Sequence, residues 1–133
     1  MTGSGIPTGP GHAGWNSDTN QFAAQTVYFD FDRSAIKSTE SDKIATVASF
    51  LTANPRDAVQ VEGHCDERGT EEYNRALGER RALAVREELV RLGVAPDRVD
   101  TISYGQDRPA DPGHNEEAYR RNRRGVFDLL TPP

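Results

Sequence analysis

Alternating apolar and polar side chains predict four β-strands along the chain. Val27, Phe29 and Phe31 alternate with Tyr28 and Asp30, which is the period-two pattern of a strand with one buried face. Similar short apolar runs return three more times further along the chain. The predicted strands cover residues 26–32, 58–65, 99–104 and 125–130.

Helical periodicity separates the first three of these strands. The first predicted helix is capped by Ser38 or Thr39, because a hydroxyl can accept from the free backbone N–H groups at a helix start. The second helix begins at Thr70 and ends before Gly93, a residue that favours the left-handed conformation after a helix. A short polar helix over residues 116–123 precedes the last strand. The apolar stripe of the first helix consists of Ile44, Val47, Ala48 and Leu51.

The order of these elements, β-α-β-α-β-(α)-β, predicts an α+β fold. Alternating strands and helices favour a parallel arrangement of the first three strands, joined by right-handed crossovers. Alternation within each strand places the helices on one face of the sheet. We therefore expect a two-layer sandwich with a mixed four-stranded sheet, in which the order of the strands stays open.

Composition divides the chain into two parts. Its 133 residues leave room for one domain, and residues 1–24 are rich in Gly and Pro without periodicity. Such a segment buries too little apolar surface to offset its ordering entropy. We predict a flexible tether or leader over residues 1–24, in which Trp15 docks loosely, and a folded domain over residues 25–133.

Charge and cysteine content exclude several functions. A net charge of −5 disfavours a surface that neutralises phosphates, so we expect no nucleic-acid partner. Cys65 is the single cysteine, which excludes an internal disulfide and a cysteine zinc cluster. His64 and Cys65 fall on opposite faces of a predicted strand, so we expect no metal and no other cofactor.

The second predicted helix places an arginine on its apolar face. At about 100° per residue, Arg81 shares a stripe with Leu77 and Val85. A guanidinium stays charged and is seldom buried alone, so Arg81 needs a carboxylate partner from the protein or from a ligand. Asp66 ends a strand, which is where such sheets often hold ligands.

Two interpretations of Asp66 and Arg81 stay open from the residues alone. In one, Asp66 or Asp32 forms an internal ion pair with Arg81, and spacing alone favours this because such pairs outnumber ligand sites. In the other, Asp66 binds an ammonium group and Arg81 binds a carboxylate, as the two ends of a zwitterion require. Asn74 and Gly78 share the helix face of Arg81 and border the same predicted cleft.

Asp30 and Asp32 raise an alternative, enzymatic hypothesis. Two carboxylates separated by one residue after an apolar strand are typical of a magnesium-dependent phosphatase, as nucleophile and acid. Such enzymes also need a downstream lysine, yet Lys37 and Lys43 both precede the second strand. We favour the simpler interpretation that Asp32 begins a turn.

Five separated sequence blocks carry a family resemblance. They are Val-Tyr-Phe-Asp-Phe-Asp at 27–32, Glu-Gly-His-Cys-Asp-Glu-Arg-Gly-Thr at 62–70, Tyr-Asn-x-Ala-Leu-Gly-Glu-Arg-Arg-Ala at 73–82, Ser-Tyr-Gly at 103–105 and Asn-Arg-Arg at 122–124. With these blocks the sequence resembles the OmpA-like peptidoglycan-binding domains over about residues 26–130. Agreement over five blocks is far more specific than any one motif.

The resemblance implies a binding site for the diaminopimelate residue of the peptidoglycan stem peptide. By resemblance, Asp66 is the partner of the free ammonium group and Arg81 is the partner of the free carboxylate. The other implied contacts are Phe31, Asp32, Asn74, Leu77 and Arg123.

The resemblance also implies a cellular setting. It implies no catalysis, but a domain that faces the periplasm and tethers the outer membrane to the cell wall through an N-terminal lipid anchor. A periplasmic propeller protein of the Tol system is the second implied partner. Cys65 lies inside the domain and is not a lipid attachment site, so we expect that the anchor has been removed from this chain.

Overall fold

The computed structural model describes residues 11–133 and arranges them as an α+β fold with the helices on one face of a mixed sheet. The strands are β1 (Asn16–Asp18), β2 (Val27–Tyr28), β3 (Ala58–His64), β4 (Val99–Gly105) and β5 (Arg124–Thr131). The α-helices are α1 (Ser41–Ala53), α2 (Glu71–Arg91) and α3 (Glu116–Asn122). The predicted fold class is thereby confirmed, but the sheet has five strands and not the predicted four, because β1 was not predicted.

The sheet has the strand order β1-β5-β3-β4, and β2 also pairs with β5. Strands β3 and β4 are parallel, whereas β5 runs antiparallel to β3 and to β2. Strands β2, β3 and β4 therefore share one direction, as the alternation of elements predicted. The order itself depends on long-range pairing, which no local pattern contains.

The first predicted strand is shorter than its alternating pattern indicated. Strand β2 covers only Val27–Tyr28, and Asp32 adopts a left-handed backbone conformation with φ of +56°. Phe31, which alternation assigned to the buried side, is 54% exposed. The chain leaves the sheet after Tyr28. At Phe31, the alternating pattern therefore no longer indicates which side chains are buried.

The fold begins earlier than the predicted start at Thr26. Strand β1 pairs Asn16 with Thr131 and Asp18 with Leu129, and buried Phe22 packs its ring edge-on against Phe127. The expected tether over residues 1–24 is too long, because a single apolar side chain and three strand residues order its second half. Residues 1–10 of that prediction lie outside the described residues.

The helix starts confirm one predicted cap and correct another. Thr70 Oγ1 accepts a hydrogen bond from the backbone N–H of Tyr73 at 3.1 Å, so α2 begins as predicted. Ser38 instead opens a 3₁₀ turn over Ser38–Glu40, and α1 starts at Ser41 without a side-chain cap. Glu40 anchors this start by accepting from the backbone N–H of Tyr28 at 2.7 Å.

A glycine contact sets the distance between α2 and the sheet. A Cβ atom on Gly63 would lie 1.7 Å from the backbone oxygen of Gly78, and one on Gly78 would lie 2.4 Å from Ser103 Oγ. The absence of side chains at both positions lets α2 lie directly against the end of β3. Within residues 11–133, no helix is long and apolar enough to cross a bilayer.

Candidate ligand-binding cleft

A cleft of about 220 Å³ lies where β3 ends, between the following loop, the first half of α2 and the chain after β2. Six of the seven predicted contact residues line it, namely Phe31, Asp32, Asp66, Asn74, Leu77 and Arg81. The sequence interpretation did not include its other lining residues, which are Cys65, Arg68, Gly69 and Tyr73. The seventh predicted contact residue, Arg123, does not line the cleft and borders a different surface pocket.

Arg81 is only 1% exposed, and three backbone carbonyls hold its guanidinium. Nε donates to the oxygen of Arg33 at 2.8 Å. Nη1 donates to the oxygen of His64 at 2.9 Å, and Nη2 donates to the oxygen of Asp30 at 3.1 Å. Carbonyl oxygens thus accept from three of its donors and leave its charge unneutralised, and no carboxylate of the described residues forms an ion pair with it, so the expected carboxylate partner would have to come from a ligand.

This charge faces the cleft, and the guanidinium has N–H donors to spare. Three carbonyls occupy three of the five N–H donors of the Arg81 guanidinium. Burial, with the charge of nearby Arg123, lowers the pKa of Arg81 from its ordinary value. A group with so high a starting pKa still remains cationic at neutral pH. An anion that enters the cleft meets a cation whose position is already fixed.

Asp66 is 4% exposed and pairs with Arg68. Its Oδ1 accepts from Arg68 Nε at 3.1 Å and from the Arg68 backbone N–H at 2.9 Å, while its Oδ2 accepts from Nη2 at 2.8 Å. Burial raises the pKa of Asp66, but these hydrogen bonds and the charge of Arg68 lower it overall. The internal Asp66–Arg81 ion pair, one of the two open interpretations, is not formed.

Arg68 also forms one side of the cleft mouth. Its guanidinium carbon lies 4.1 Å from the ring centre of Phe31 and 4.5 Å from that of Tyr119. Tyr119 in turn donates its hydroxyl to Glu67 at 2.8 Å. The only sequence signal for this role was position, because Arg68 follows Asp66 by two residues in a polar loop.

Asn74 shapes the loop more than it faces the cleft. Its amide Nδ2 lies 3.0 Å from the backbone oxygen of Arg68 and 2.6 Å from Gln106 Oε1. Gly69 next to it has a φ of +102°, a conformation that other residues rarely adopt. Asn74 therefore holds the turn that carries Asp66, while buried Leu77 supplies an apolar wall.

Asp32 and Tyr73 meet across the cleft mouth. The Tyr73 hydroxyl donates to Asp32 Oδ1, which joins the chain after β2 to the first turn of α2. Phe31 beside them is exposed at the rim. Cys65 lies deeper, donates its thiol to the backbone oxygen of Asn74 at 3.2 Å, and has a pKa that burial raises to about 11.

Arg123, and not Arg124, is directed toward the site. Its Nε donates to the backbone oxygen of Phe29 at 2.9 Å, and its Nη1 lies 3.6 Å from Asp66 Oδ2. Arg124 donates to the backbone oxygen of Arg108 at 2.9 Å, on the other side of the sheet. The charge of Arg123 thus helps to lower the pKa of Asp66, although Arg123 does not line the cleft.

The two carboxylates of the phosphatase hypothesis are not brought to one site. Asp32 lines the cleft, whereas the exposed carboxylate of Asp30 pairs with Lys37 at 3.2 Å and borders a different surface pocket. A nucleophile and an acid must reach the same phosphate group. This geometry disfavours the alternative function. Among residues 11–133, no three His, Cys, Asp or Glu side chains converge to hold a metal ion.

Comparison with known proteins finds relatives of this chain. A protein from Pasteurella multocida described as a peptidoglycan-associated lipoprotein is 46% identical over 114 residues, which cover 86% of this chain and 76% of the relative. A protein of the same description from Haemophilus influenzae is 48% identical over 102 residues, covering 77% of this chain and 67% of the relative.

A solved structure agrees with the fold. The crystal structure of the peptidoglycan-associated lipoprotein from Burkholderia pseudomallei superposes with a TM-score of 0.78 at 37% identity, covering 84% of this chain and 96% of that chain. The model of the OmpA family matches residues 28–123, which contain all the residues that line the cleft. The chain therefore belongs to the OmpA family, and peptidoglycan-associated lipoproteins are among its relatives.

Proposed function

We propose that this domain binds peptidoglycan, without catalysis, through the diaminopimelate residue of its stem peptide. The observation that carries the proposal is that Asp66 and Arg81 are buried, oppositely charged and placed in the same cleft, yet do not pair with each other. The names of the relatives, which describe association with peptidoglycan, support the same ligand.

The free end of the diaminopimelate side chain carries both groups that such a cleft needs. Its carbon bears an ammonium group, which matches Asp66, and a carboxylate, which matches the guanidinium of Arg81. Leu77 offers an apolar wall for the methylene chain between the two amino-acid centres. A volume of about 220 Å³ suits one such side chain, so the rest of the stem peptide extends past the mouth.

An ammonium group that binds Asp66 would compete with Arg68. Both oxygens of Asp66 already accept hydrogen bonds from Arg68. A carboxylate has about four lone-pair positions, so an ammonium group shares Asp66 with Arg68 or replaces it. Arg81 needs no such exchange, because carbonyl oxygens hold it in the empty cleft. The carboxylate subsite is therefore the preorganised half of the site.

The test compares two synthetic stem tripeptides that end in diaminopimelate or in lysine. The lysine side chain carries an ammonium group but no carboxylate, so the charge of Arg81 stays unneutralised in the complex with the lysine peptide. We expect the lysine peptide to bind at least about tenfold more weakly by isothermal titration calorimetry, since a lost charge-assisted bidentate contact is worth that much or more. Equal binding of the two peptides would overturn the proposed role of Arg81.

Variants of Asp66 test its proposed contact with the ammonium group. Asp66→Asn keeps the size of the side chain but removes its charge, and we expect it to bind the diaminopimelate peptide at least about tenfold more weakly. Glu87→Gln makes the same chemical change at an exposed position on α2 and serves as the matched control. Thermal melting shows whether each variant is folded. A folded Asp66→Asn variant that binds like Glu87→Gln contradicts the proposal.

For the whole protein, we propose a tether between the outer membrane and the cell wall within the Tol–Pal system. The description of the relatives as lipoproteins supports a lipid anchor ahead of this domain and a periplasmic location for the domain itself. We further propose the periplasmic propeller protein of the Tol system as a partner. Calorimetric titration of that purified protein into this domain tests the contact, and an absence of heat at micromolar concentrations would refute it.

A further inference from the structure

A polar cluster lies on the face of the sheet opposite the helices. Val61 of β3 and Phe127 of β5 point into the core, so their neighbours Glu62 and Asp128 point to the other face. We call Glu62, His64 and Asp128 the far-face cluster. The Asp128 and His64 side chains are almost fully buried.

Specific contacts fix the His64 ring within the far-face cluster. Its Nε2 lies 2.9 Å from Glu62 Oε1, and its ring stacks on Tyr104 with centroids 5.5 Å apart. Arg108 covers the outer side of Tyr104, with its guanidinium carbon 3.8 Å from the ring centre. Glu62 in turn hydrogen-bonds to Asp128. The ring is therefore held by Glu62 at its Nε2 edge and by Tyr104 on one face.

One protonation state satisfies these contacts. Two carboxyl groups can share a hydrogen bond only if one keeps its proton, and burial together with Glu62 raises the pKa of Asp128 to about 9. Ionised Glu62 then accepts from the Nε2–H of His64. His64 Nδ1 has no partner among the described residues, and burial lowers the pKa of His64, so the ring is neutral.

The backbone of His64 serves the opposite face of the sheet. Its carbonyl oxygen is one of the three acceptors that hold Arg81 in the cleft. The pairing of β3 with β4 shifts register between Gly63 and His64. Such irregularities commonly redirect groups beside functional sites. The ring of His64 is thus anchored behind the sheet while its carbonyl points at the guanidinium in front of it.

We infer that His64 is a positioning residue for Arg81, and that the far-face cluster fixes the cleft from behind the sheet without touching the ligand. The effect on Arg81 stands independently of any ligand, whereas its consequence for affinity rests on the proposed function. At metal sites, replacing a residue that orients a metal ligand typically changes affinity by about 10- to 100-fold. A guanidinium that must meet a carboxylate also depends on accurate positioning, so we expect a similar sensitivity here.

The first test examines the free protein by NMR. In the wild type, we expect the Arg81 Nε–H signal to be resolved and slow to exchange, because the donor is buried against the Arg33 oxygen. His64→Leu removes the bond to Glu62, and we expect that signal to shift and exchange at least about tenfold faster. His64→Gln can place an amide N–H near the position of Nε2, and we expect it to restore the slow signal. Wild-type behaviour in His64→Leu overturns the inference.

The second test is a pH profile of affinity for the diaminopimelate tripeptide between pH 7 and pH 10. Titrating and charged groups around the cluster are Tyr104 and Arg108 on the side of β4, and Arg124 on β5. Ionisation of Asp128 puts a second negative charge beside Glu62. We expect the wild type to lose affinity at least about threefold more than Asp128→Asn, which cannot ionise. The ligand's own ammonium titration is common to both proteins.

Asp100→Asn is the matched control for this profile. Asp100 is also buried and faces the same side of the sheet, but its partner is His12 at 2.8 Å. We expect it to follow the wild-type profile, and identical profiles for all three proteins overturn the inference. If the wild type does not bind the tripeptide at pH 7, the proposed function fails, and the NMR comparison still decides the role of His64.

Discussion

At the scale of residues, Arg81 shows how a protein can hold a buried, unneutralised charge in the wall of a cleft. Carbonyl oxygens satisfy hydrogen bonds but carry no net charge, so three of them can fix a guanidinium without neutralising it. A carboxylate in their place would fill the same need and close the site. The spacing of Arg81 on its helix identified an unusual residue, but it could not say which kind of oxygen would surround it.

This arrangement predicts a large stability effect at Arg81. Arg81→Leu leaves buried carbonyl oxygens without donors, and each such loss costs about 1–3 kcal/mol. We expect the free energy of unfolding, measured with urea, to fall by at least about 2 kcal/mol. The neighbouring exposed Arg80 provides the control, because Arg80→Leu should change that free energy by no more than about 0.5 kcal/mol. Equal effects at both positions would contradict the assigned role of the carbonyls.

At the scale of elements, the cleft depends on how closely α2 approaches β3. The helix carries Tyr73, Asn74, Leu77 and Arg81, while the end of β3 leads into Cys65 and Asp66. Two facing glycines let these elements meet at backbone distance. Both glycines can be seen in the sequence, but their contact depends on how α2 packs on the sheet, which no local pattern contains.

The glycine contact predicts a strong effect of one methyl group. Gly63→Ala would place a Cβ atom 1.7 Å from a backbone oxygen of α2, so the helix must move. We expect the free energy of unfolding to fall by about 3 kcal/mol, as in overpacked cores. Gly93→Ala is the control, since Gly93 has a φ of +103° and open space around its Cβ position. Its backbone strain should cost about 1 kcal/mol, and a larger loss there than at Gly63 would contradict the contact.

The ends of elements were predicted unevenly, for physical reasons. The Thr70 cap and the Gly93 termination of α2 follow from interactions within a few residues, and both are confirmed. The start of α1 was missed because Glu40 binds the backbone of Tyr28, a contact from outside the helix. Strand β1 was missed because its three residues gain order from pairing with the distant β5.

At the scale of the whole molecule, the far-face cluster predicts how stability depends on pH. Burial and the neighbouring Glu62 raise the pKa of Asp128 to about 9, so its contribution to stability is complete below the unfolded pKa and is lost as pH rises toward 9. Glu62 acts in the opposite direction. Burial opposes its ionisation, but His64 and Asp128 lower its pKa to about 2, so its contribution disappears as pH falls from about 4.5 toward 2.

The expected outcome is a stability that declines from neutral toward alkaline pH, because below the ordinary histidine pKa of 6.5 the neutral, buried His64 adds a slope of the opposite sign. Urea unfolding of the wild type between pH 7 and pH 9 measures this slope, and Asp128→Asn should flatten it because an amide does not titrate. Glu87→Gln, at an exposed position on α2, is the control and should leave the slope unchanged. A wild-type slope that survives in Asp128→Asn would place the titrating group elsewhere in the protein.

Sequence patterns alone predicted the order of the elements after β1, the direction of the main strands, the two ends of α2 and six of the residues that line the cleft. These follow from periodicity, local backbone preference and family motifs, which are properties of short segments. The packed structure was needed to show that Arg68 binds Asp66, that carbonyl oxygens hold Arg81 and that Arg123 approaches Asp66 without lining the cleft. Those partners come from segments far apart in the chain, or from a loop geometry that the packed helix imposes. A local sequence pattern can identify a residue that needs a partner. Which group becomes that partner depends on the atoms that the fold brings within hydrogen-bond distance of it.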